Sequence, residues 1–146
     1  MRTETIDPKA VDLDQLIQRA VSFHGHLGPM VVTGIRMGLL ALEILEHPGY
    51  FNLRAECRAG RVPPLSCLAD GLQMGSGCTS GKGNLEIVDQ QEASARFVTE
   101  DHRTVTLAVR PAMLARFSEL DLDTASELAR TCPIEELLTW TASPSA

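Results

Sequence analysis

Two short stretches of this chain hold the residue types that most often do chemistry. The sequence FHGHLGP places His24 and His26 two residues apart, and CLADGLQMGSGCTSGKGNL contains the thiols of Cys67 and Cys78. Imidazole nitrogens combined with thiolates suit zinc or a similar late divalent metal. The stretches are well separated along the chain, so only folding could unite them in one metal site.

The second stretch also predicts how its polar groups are arranged. The residues before Gly75 include few helix breakers, which indicates a helix that ends at the glycines. On such a helix Cys67 and Asp70 share one side, because residues three or four apart are neighbours. Asp70 could then accept a hydrogen bond from a ligand histidine. Cys78 would follow the helix in an open turn.

The segment GSGCTSGKG does not satisfy the pattern of a nucleotide-phosphate loop. That pattern needs a glycine, four residues and then Gly-Lys-Ser/Thr. Here Ser76 occupies the position of the first glycine, and Gly83 follows Lys82 where a hydroxyl should hold magnesium. A plain glycine-rich connection between a helix and a strand is the alternative interpretation.

Several other reactive or charged side chains have an ordinary structural explanation. Cys57 lies on the apolar side of an alternating segment, which predicts a core position. Arg36 could either reach the surface or point toward the site as an anion partner. Lys82 is close enough in sequence to Cys78 to lower the pKa of that thiol, which would favour a nucleophile.

Composition excludes some classes of partner. The formal charge is −6, from 13 basic and 19 acidic residues, and this balance argues against nucleic-acid binding. We expect no signal peptide and no membrane span, because the longest apolar stretch is interrupted by polar residues and glycines. The four cysteines include no CxxC pair, so a reducing cytoplasm is the expected compartment.

The periodicities predict a single α+β domain over residues 1–146. Strand-like segments cluster in the middle of the chain and helical segments lie at both ends, which favours a mainly antiparallel sheet of about four strands. The expected parts are N-terminal helices within about 12–46, the sheet and glycine-rich site within about 52–110, C-terminal helices within about 111–140, and a frayed tail.

The second helix, predicted over residues 29–46, is apolar nearly all round and must be covered. Gly34 and Gly38 would let another backbone approach it closely. A second subunit is one way to cover this face, and two-fold dimers are the commonest soluble assembly. We therefore expect a homodimer.

The two stretches together resemble FmdE, a subunit of formylmethanofuran dehydrogenase, and its stand-alone relatives. The resemblance extends over about residues 16–110 and depends on FHGHLGP and on DGLQMGSGCTSGKGNL. It implies an α+β core, often as a homodimer, with a metal site formed by the HGH turn and cysteines of the glycine-rich stretch. Carried onto this chain, the implied metal ligands are His24, His26, Cys67 and Cys78, with Asp70, Gln73, Thr79 and Lys82 around them.

This chain departs from the family pattern in two places. Many relatives have a cysteine where this chain has Gly28, so one potential ligand is missing. Some relatives also have a cysteine-rich zinc-finger tail, whereas only Cys132 lies in that region here.

Three functions follow as hypotheses. The first is a zinc-binding accessory protein that serves a redox or one-carbon enzyme, with a larger redox enzyme complex as its partner. The second is a small metal- or thiol-dependent enzyme in which Cys78 is the nucleophile and Lys82 activates it. The third is a haem- or cofactor-binding protein with a histidine and a cysteine as axial ligands.

Overall fold

The structure is a computed structural model, and it describes residues 2–143. Over this range the chain forms an α+β domain, as predicted. Helices lie near both ends of the chain, four strands lie between them in sequence, and a fifth strand follows the last helix. The helices are α1 (Leu13–His24), α2 (Pro29–Leu45), α3 (Leu68–Ser76), α4 (Pro111–Glu119), α5 (Leu122–Thr131) and α6 (Ile134–Leu137), and a 3-10 turn (Leu65–Cys67) leads into α3. The strands are β1 (Leu53–Cys57), β2 (Leu85–Ile87), β3 (Ser94–Thr99), β4 (Thr104–Val109) and β5 (Leu138–Ser143).

The five strands form one mixed sheet in the order β2-β1-β3-β4-β5. Only the β1–β2 pair is parallel, because the chain passes through α3 between these two strands. The remaining pairs are antiparallel. Burial alternates along β4, so one face of the sheet covers the core and the other remains partly exposed.

Helix α2 is the centre of the core, and it packs against α3, α5 and β4. It begins at Pro29, where a missing backbone N–H costs nothing. Most of its side chains are buried, as its almost entirely apolar sequence predicts. Arg36 is partly buried, and its Nη1 donates to the carbonyl oxygens of Ala129, at 2.8 Å, and Cys132, at 2.7 Å. Arg36 therefore caps the end of α5, rather than simply reaching the surface or pointing into a site.

Four glycines set the spacing between α2 and α3. Gly34 and Gly38 on α2 face Gly71 and Gly75 on α3, so the two backbones touch. A Cβ added at Gly71 would lie 2.1 Å from the carbonyl oxygen of Val31. This contact places the N-terminal end of α3 beside the turn that joins α1 to α2.

The same contact changes the argument for a dimer. The Gly34/Gly38 face is covered by α3 of the same chain, so it needs no second subunit. The homodimer stays a prediction, without this face as its reason.

The predicted C-terminal helix up to residue 140 is wrong beyond Leu137. Helix α6 ends there, and β5 follows as an additional edge strand paired with β4. Thr139, Trp140 and Thr141 are β-branched or aromatic residues that favour a strand, and the free edge of β4 offers hydrogen bonds that an isolated short helix lacks. The predicted frayed tail begins within β5, and its last residues, 144–146, lie outside the described residues.

No helix among residues 2–143 is both long enough and apolar enough to cross a lipid bilayer.

The glycine contact predicts a large stability difference between two Gly→Ala substitutions. Gly71→Ala should lower the free energy of unfolding by about 2 kcal/mol or more, because the new methyl group meets backbone that cannot move away alone. Gly81→Ala is the matched control, since nothing lies within 4 Å of a Cβ at that position. Urea denaturation would measure both, and equal losses would contradict the contact.

Candidate metal centre

Three of the predicted metal ligands come together where α1 ends and α3 begins. One donor atom from each of His24, His26 and Cys67 lies within 4.8 Å of the other two. The rings of the two histidines are tilted by 39°, with their centroids 4.5 Å apart. The described residues thus place two imidazoles and one thiol where a single ion could contact all three.

Local sequence explains why both histidines face this point. His24 is the last residue of α1, and Gly25 ends the helix in the left-handed conformation with φ 99°. The chain then extends through Gly28 to the start of α2. His26 therefore lies in a short turn, on the side toward which α3 presents Cys67 at its N-terminal end.

His24 has one nitrogen engaged and the other free. Its Nδ1 donates to Oδ2 of Asp70, which orients the ring. Its Nε2 is buried and has no hydrogen-bond partner among the described residues. Leaving a buried polar atom unpaired costs about 1–3 kcal/mol, and the lone pair of this nitrogen is available to bind a metal ion.

Asp70 and Gln73 support His24 from α3. Gln73 Nε2 donates to the second Asp70 oxygen at 3.2 Å, and Gln73 Oε1 accepts the Ser80 backbone N–H at 3.0 Å. The pairing of Asp70 with a histidine of the HGH turn is the one expected from the sequence. This chain of hydrogen bonds connects α1, α3 and the glycine-rich loop, and it fixes the direction of the His24 ring.

Burial disfavours charge on the Cys67 thiol. The pKa of Cys67 is raised, first by burial and second by the nearby Asp70 carboxylate. A bound cation would reverse this balance, because a coordinating thiol loses its proton to the metal.

Cys78 does not join the cluster, although the sequence groups it with the other ligands. Cys67 and Cys78 flank opposite ends of α3, and its nine residues span about 14 Å. The Cys78 thiol is fully buried and lies 3.7 Å from the carbonyl oxygen of Leu53, to which it donates. Its pKa is raised by burial, which outweighs the lowering effects of Ser76 and Lys82. A buried thiol of this kind is a poor nucleophile.

Thr79 and Lys82 organise the glycine-rich loop rather than the cluster. Lys82 Nζ donates to the Gly77 carbonyl oxygen at 2.7 Å and to Thr79 Oγ1 at 3.1 Å. The Thr79 backbone N–H donates to Asn84 Oδ1 at 2.9 Å. These bonds give the loop a defined shape.

One neighbour of the cluster had no signal in the sequence. Leu122, at the start of α5, is exposed and belongs to a distant part of the chain. A Cβ added at Gly28 would lie 3.2 Å from His26 Nε2 and 3.8 Å from the Leu122 side chain. Gly28 and Leu122 thus form the border of the cluster beside His26.

The fold and this group of donors define an α+β domain with a candidate metal site. Residues 23–143 match the family described as "FmdE, Molybdenum formylmethanofuran dehydrogenase operon". The chain belongs to the FmdE family, as the resemblance of its two motifs predicted.

Two similar proteins give further context. The crystal structure of a tungsten formylmethanofuran dehydrogenase FmdE-like protein from Syntrophus aciditrophicus shares the fold with a TM-score of 0.70 at 19% identity, covering 97% of this chain and 77% of that one. A protein of Archaeoglobus fulgidus described as a "Probable S-adenosyl-L-methionine-binding protein" is 38% identical over 79 residues, which are 53% of this chain. The match spans only 21% of that relative, so its name says nothing specific about the shared part.

The Asp70–His24 bond predicts the effect of Asp70→Asn. This variant should bind zinc about tenfold or more weakly, because the histidine loses the acceptor that fixes its orientation and raises its basicity. Competition with a chromophoric chelator would measure the affinity. Glu86→Gln removes an exposed carboxylate of β2 and is the control. Equal zinc affinities of the two variants would show that Asp70 does not support the metal ligand.

Proposed function

We propose that this FmdE-family domain binds one divalent metal ion, zinc, through His24, His26 and Cys67. The buried Nε2 of His24, which has no hydrogen-bond partner within residues 2–143, is the observation that carries the proposal. The residues fit the metal because nitrogen and thiolate ligands suit zinc better than magnesium or calcium, which prefer oxygen. Asp70 then has the role of the carboxylate that orients a ligand histidine.

Three protein ligands would leave one coordination position of a bound zinc ion for an exchangeable group. When bound, zinc in a site of this kind acts as a Lewis acid and lowers the pKa of a bound water. The protein keeps His24 in place through Asp70 and Gln73. Beside His26, the small Gly28 leaves room for an incoming group and Leu122 provides an apolar wall.

We propose that the metal-loaded domain serves a redox or one-carbon enzyme as an accessory protein in the cytoplasm. The family's description refers to the operon of formylmethanofuran dehydrogenase, which supports a role beside such an enzyme. All four cysteines are free and buried, which fits a reducing compartment. A larger redox complex and a second copy of the chain are the partners we propose for it.

A metal-dependent enzyme is the second candidate, and the open fourth position favours it, since catalytic zinc sites keep such a position. Burial of Cys78 gives no support to the thiol-dependent version of this hypothesis. The haem alternative has weaker support. The three donor atoms lie close together, which suits a single ion, whereas two axial ligands of a haem must lie on opposite sides of its iron.

The ligand set predicts opposite behaviour for two buried cysteines. Protein expressed without an affinity tag should contain one zinc per chain, and Cys67→Ser should lose most of it because the only thiolate of the set is gone. Cys78→Ser is the matched control and should keep its zinc. Metal analysis by mass spectrometry would measure the zinc content of both variants, and circular dichroism would verify that their helices are intact. Full zinc occupancy in Cys67→Ser would refute the proposed site.

The position of Gly28 beside His26 predicts that a fourth ligand can be added with a small shift of the His26 ring, since an added Cβ would lie 3.2 Å from its Nε2. Gly28→Cys should tighten zinc binding by about tenfold or more, because the backbone is extended there and a thiol would lie next to His26. With cobalt in place of zinc, the thiolate-to-metal absorption band should grow relative to the natural chain. Gly28→Ser is the control of similar size without a thiolate. Indistinguishable spectra for these two variants would contradict the placement of the open position.

A further inference from the structure

We infer that a groove on the exposed face of the sheet is a binding site for a small organic anion with a flat apolar part. The groove lies between the β1 segment and the turn joining β3 to β4, and its volume is about 660 Å³. Pockets for small molecules typically measure about 300–1,000 Å³. The lining of the groove includes Phe51, Arg54, Lys82, Val98, Glu100 and His102.

The groove collects positive charge in a chain whose net charge is −6. Arg54 is exposed and, within residues 2–143, has no hydrogen-bond or ion-pair partner, whereas the neighbouring Arg58 is paired with Glu56 at 2.8 Å. Lys82 Nζ has two acceptors within the described part of the chain, which leaves the third of its N–H bonds for another acceptor. Arg54 and Lys82 therefore offer donors that an anion could use.

One acidic side chain, Glu100, lies on the same groove and opposes these charges only in part. His102 lines the groove on the same turn. The balance of charged groups lining the groove thus favours an anion over a cation.

An apolar surface completes the site. Phe51 is 47% exposed, and Lys82 Nζ lies 5.5 Å from the centre of its ring. Val98 stands directly opposite Arg54 in the β1–β3 pair, on the same face of the sheet, and is partly buried. A flat group could contact Phe51 and Val98 while its charged end reaches Arg54.

The backbone on both sides of Phe51 has an uncommon conformation. Tyr50 and Asn52, on either side, have φ of 68° and 58°, in the left-handed region that non-glycine residues rarely occupy. Such residues cost about 1–3 kcal/mol each and occur where the surrounding structure enforces them, often at functional sites. Asn84 contributes here by donating to the Tyr50 carbonyl oxygen at 2.8 Å. These residues and the Asn84 bond flank the short segment that carries the exposed Phe51 ring.

This site is distinct from the candidate metal centre and does not depend on it. The groove draws on β1, the β3–β4 turn and the outer side of the glycine-rich loop, whereas the metal ligands lie on the α1–α2 turn and at the start of α3. The anion site could therefore be correct even if the chain bound no metal.

Titrations followed by two-dimensional NMR of the full chain would test the site. The probes are phenylacetate, phenyl phosphate and the uncharged phenylacetamide, each in the millimolar range. Phenylacetate, phenyl phosphate or both should shift the amide signals of Thr99 and His102, and phenylacetamide should bind about tenfold more weakly because it lacks the charge. The tighter of the two anions identifies the preferred charged group. Equal binding of the amide and both anions, or no shifts with any probe, would overturn the inference.

Matched variants locate the interaction. Arg54→Gln should weaken anion binding about tenfold, whereas Arg96→Gln should change it less than about twofold. Arg96 is an exposed arginine on the same sheet face and does not line the groove, so it controls for net charge. Glu100→Gln should tighten binding, and Phe51→Ala should weaken the binding of all three probes. Equal effects of the two arginine variants would show only a general charge effect and would reject the site.

Discussion

The backbone contact between α2 and α3 is the constraint on which the rest of this structure depends. Because glycine faces glycine along both helices, α3 lies closer to α2 than ordinary side chains permit. The start of α3 therefore reaches the HGH turn, and its thiol and carboxylate meet the two histidines. With a larger distance between α2 and α3, the side chains of Cys67 and Asp70 would no longer reach the two histidines.

Local patterns in the sequence were enough to predict much of this arrangement. The α+β class, the helix ending at Gly77 and the shared side of Cys67 and Asp70 all follow from periodicity and glycine placement. The pairing of Asp70 with a histidine of the HGH turn was expected as well, although not which histidine. These features depend on interactions between near neighbours in the chain or on the resemblance of two motifs.

The features that sequence alone did not reveal depend on distance in space. Cys78 was grouped with Cys67 because both lie in one stretch, yet the length of α3 separates them. β5 was predicted as the end of a helix followed by a frayed tail, because the edge of β4, which it covers, is formed by a distant segment. Arg36 caps α5 and Leu122 lies near Gly28, and both are likewise contacts between segments that are distant in the sequence. No periodicity in a single sequence encodes such contacts.

The side chain of Asn84 restrains the conformation of the glycine-rich loop in which it lies. Glycines lose more conformational freedom on folding than any other residue, so a loop with glycine at 77, 81 and 83 is costly to hold in one shape. One carboxamide makes three bonds here, accepting from Thr79 and donating to the carbonyl oxygens of Tyr50 and Leu53. These three bonds tie the segment between α3 and β2 to the residues that precede β1 and to the start of β1. Its amide protons should exchange with solvent more slowly than those of a free glycine linker.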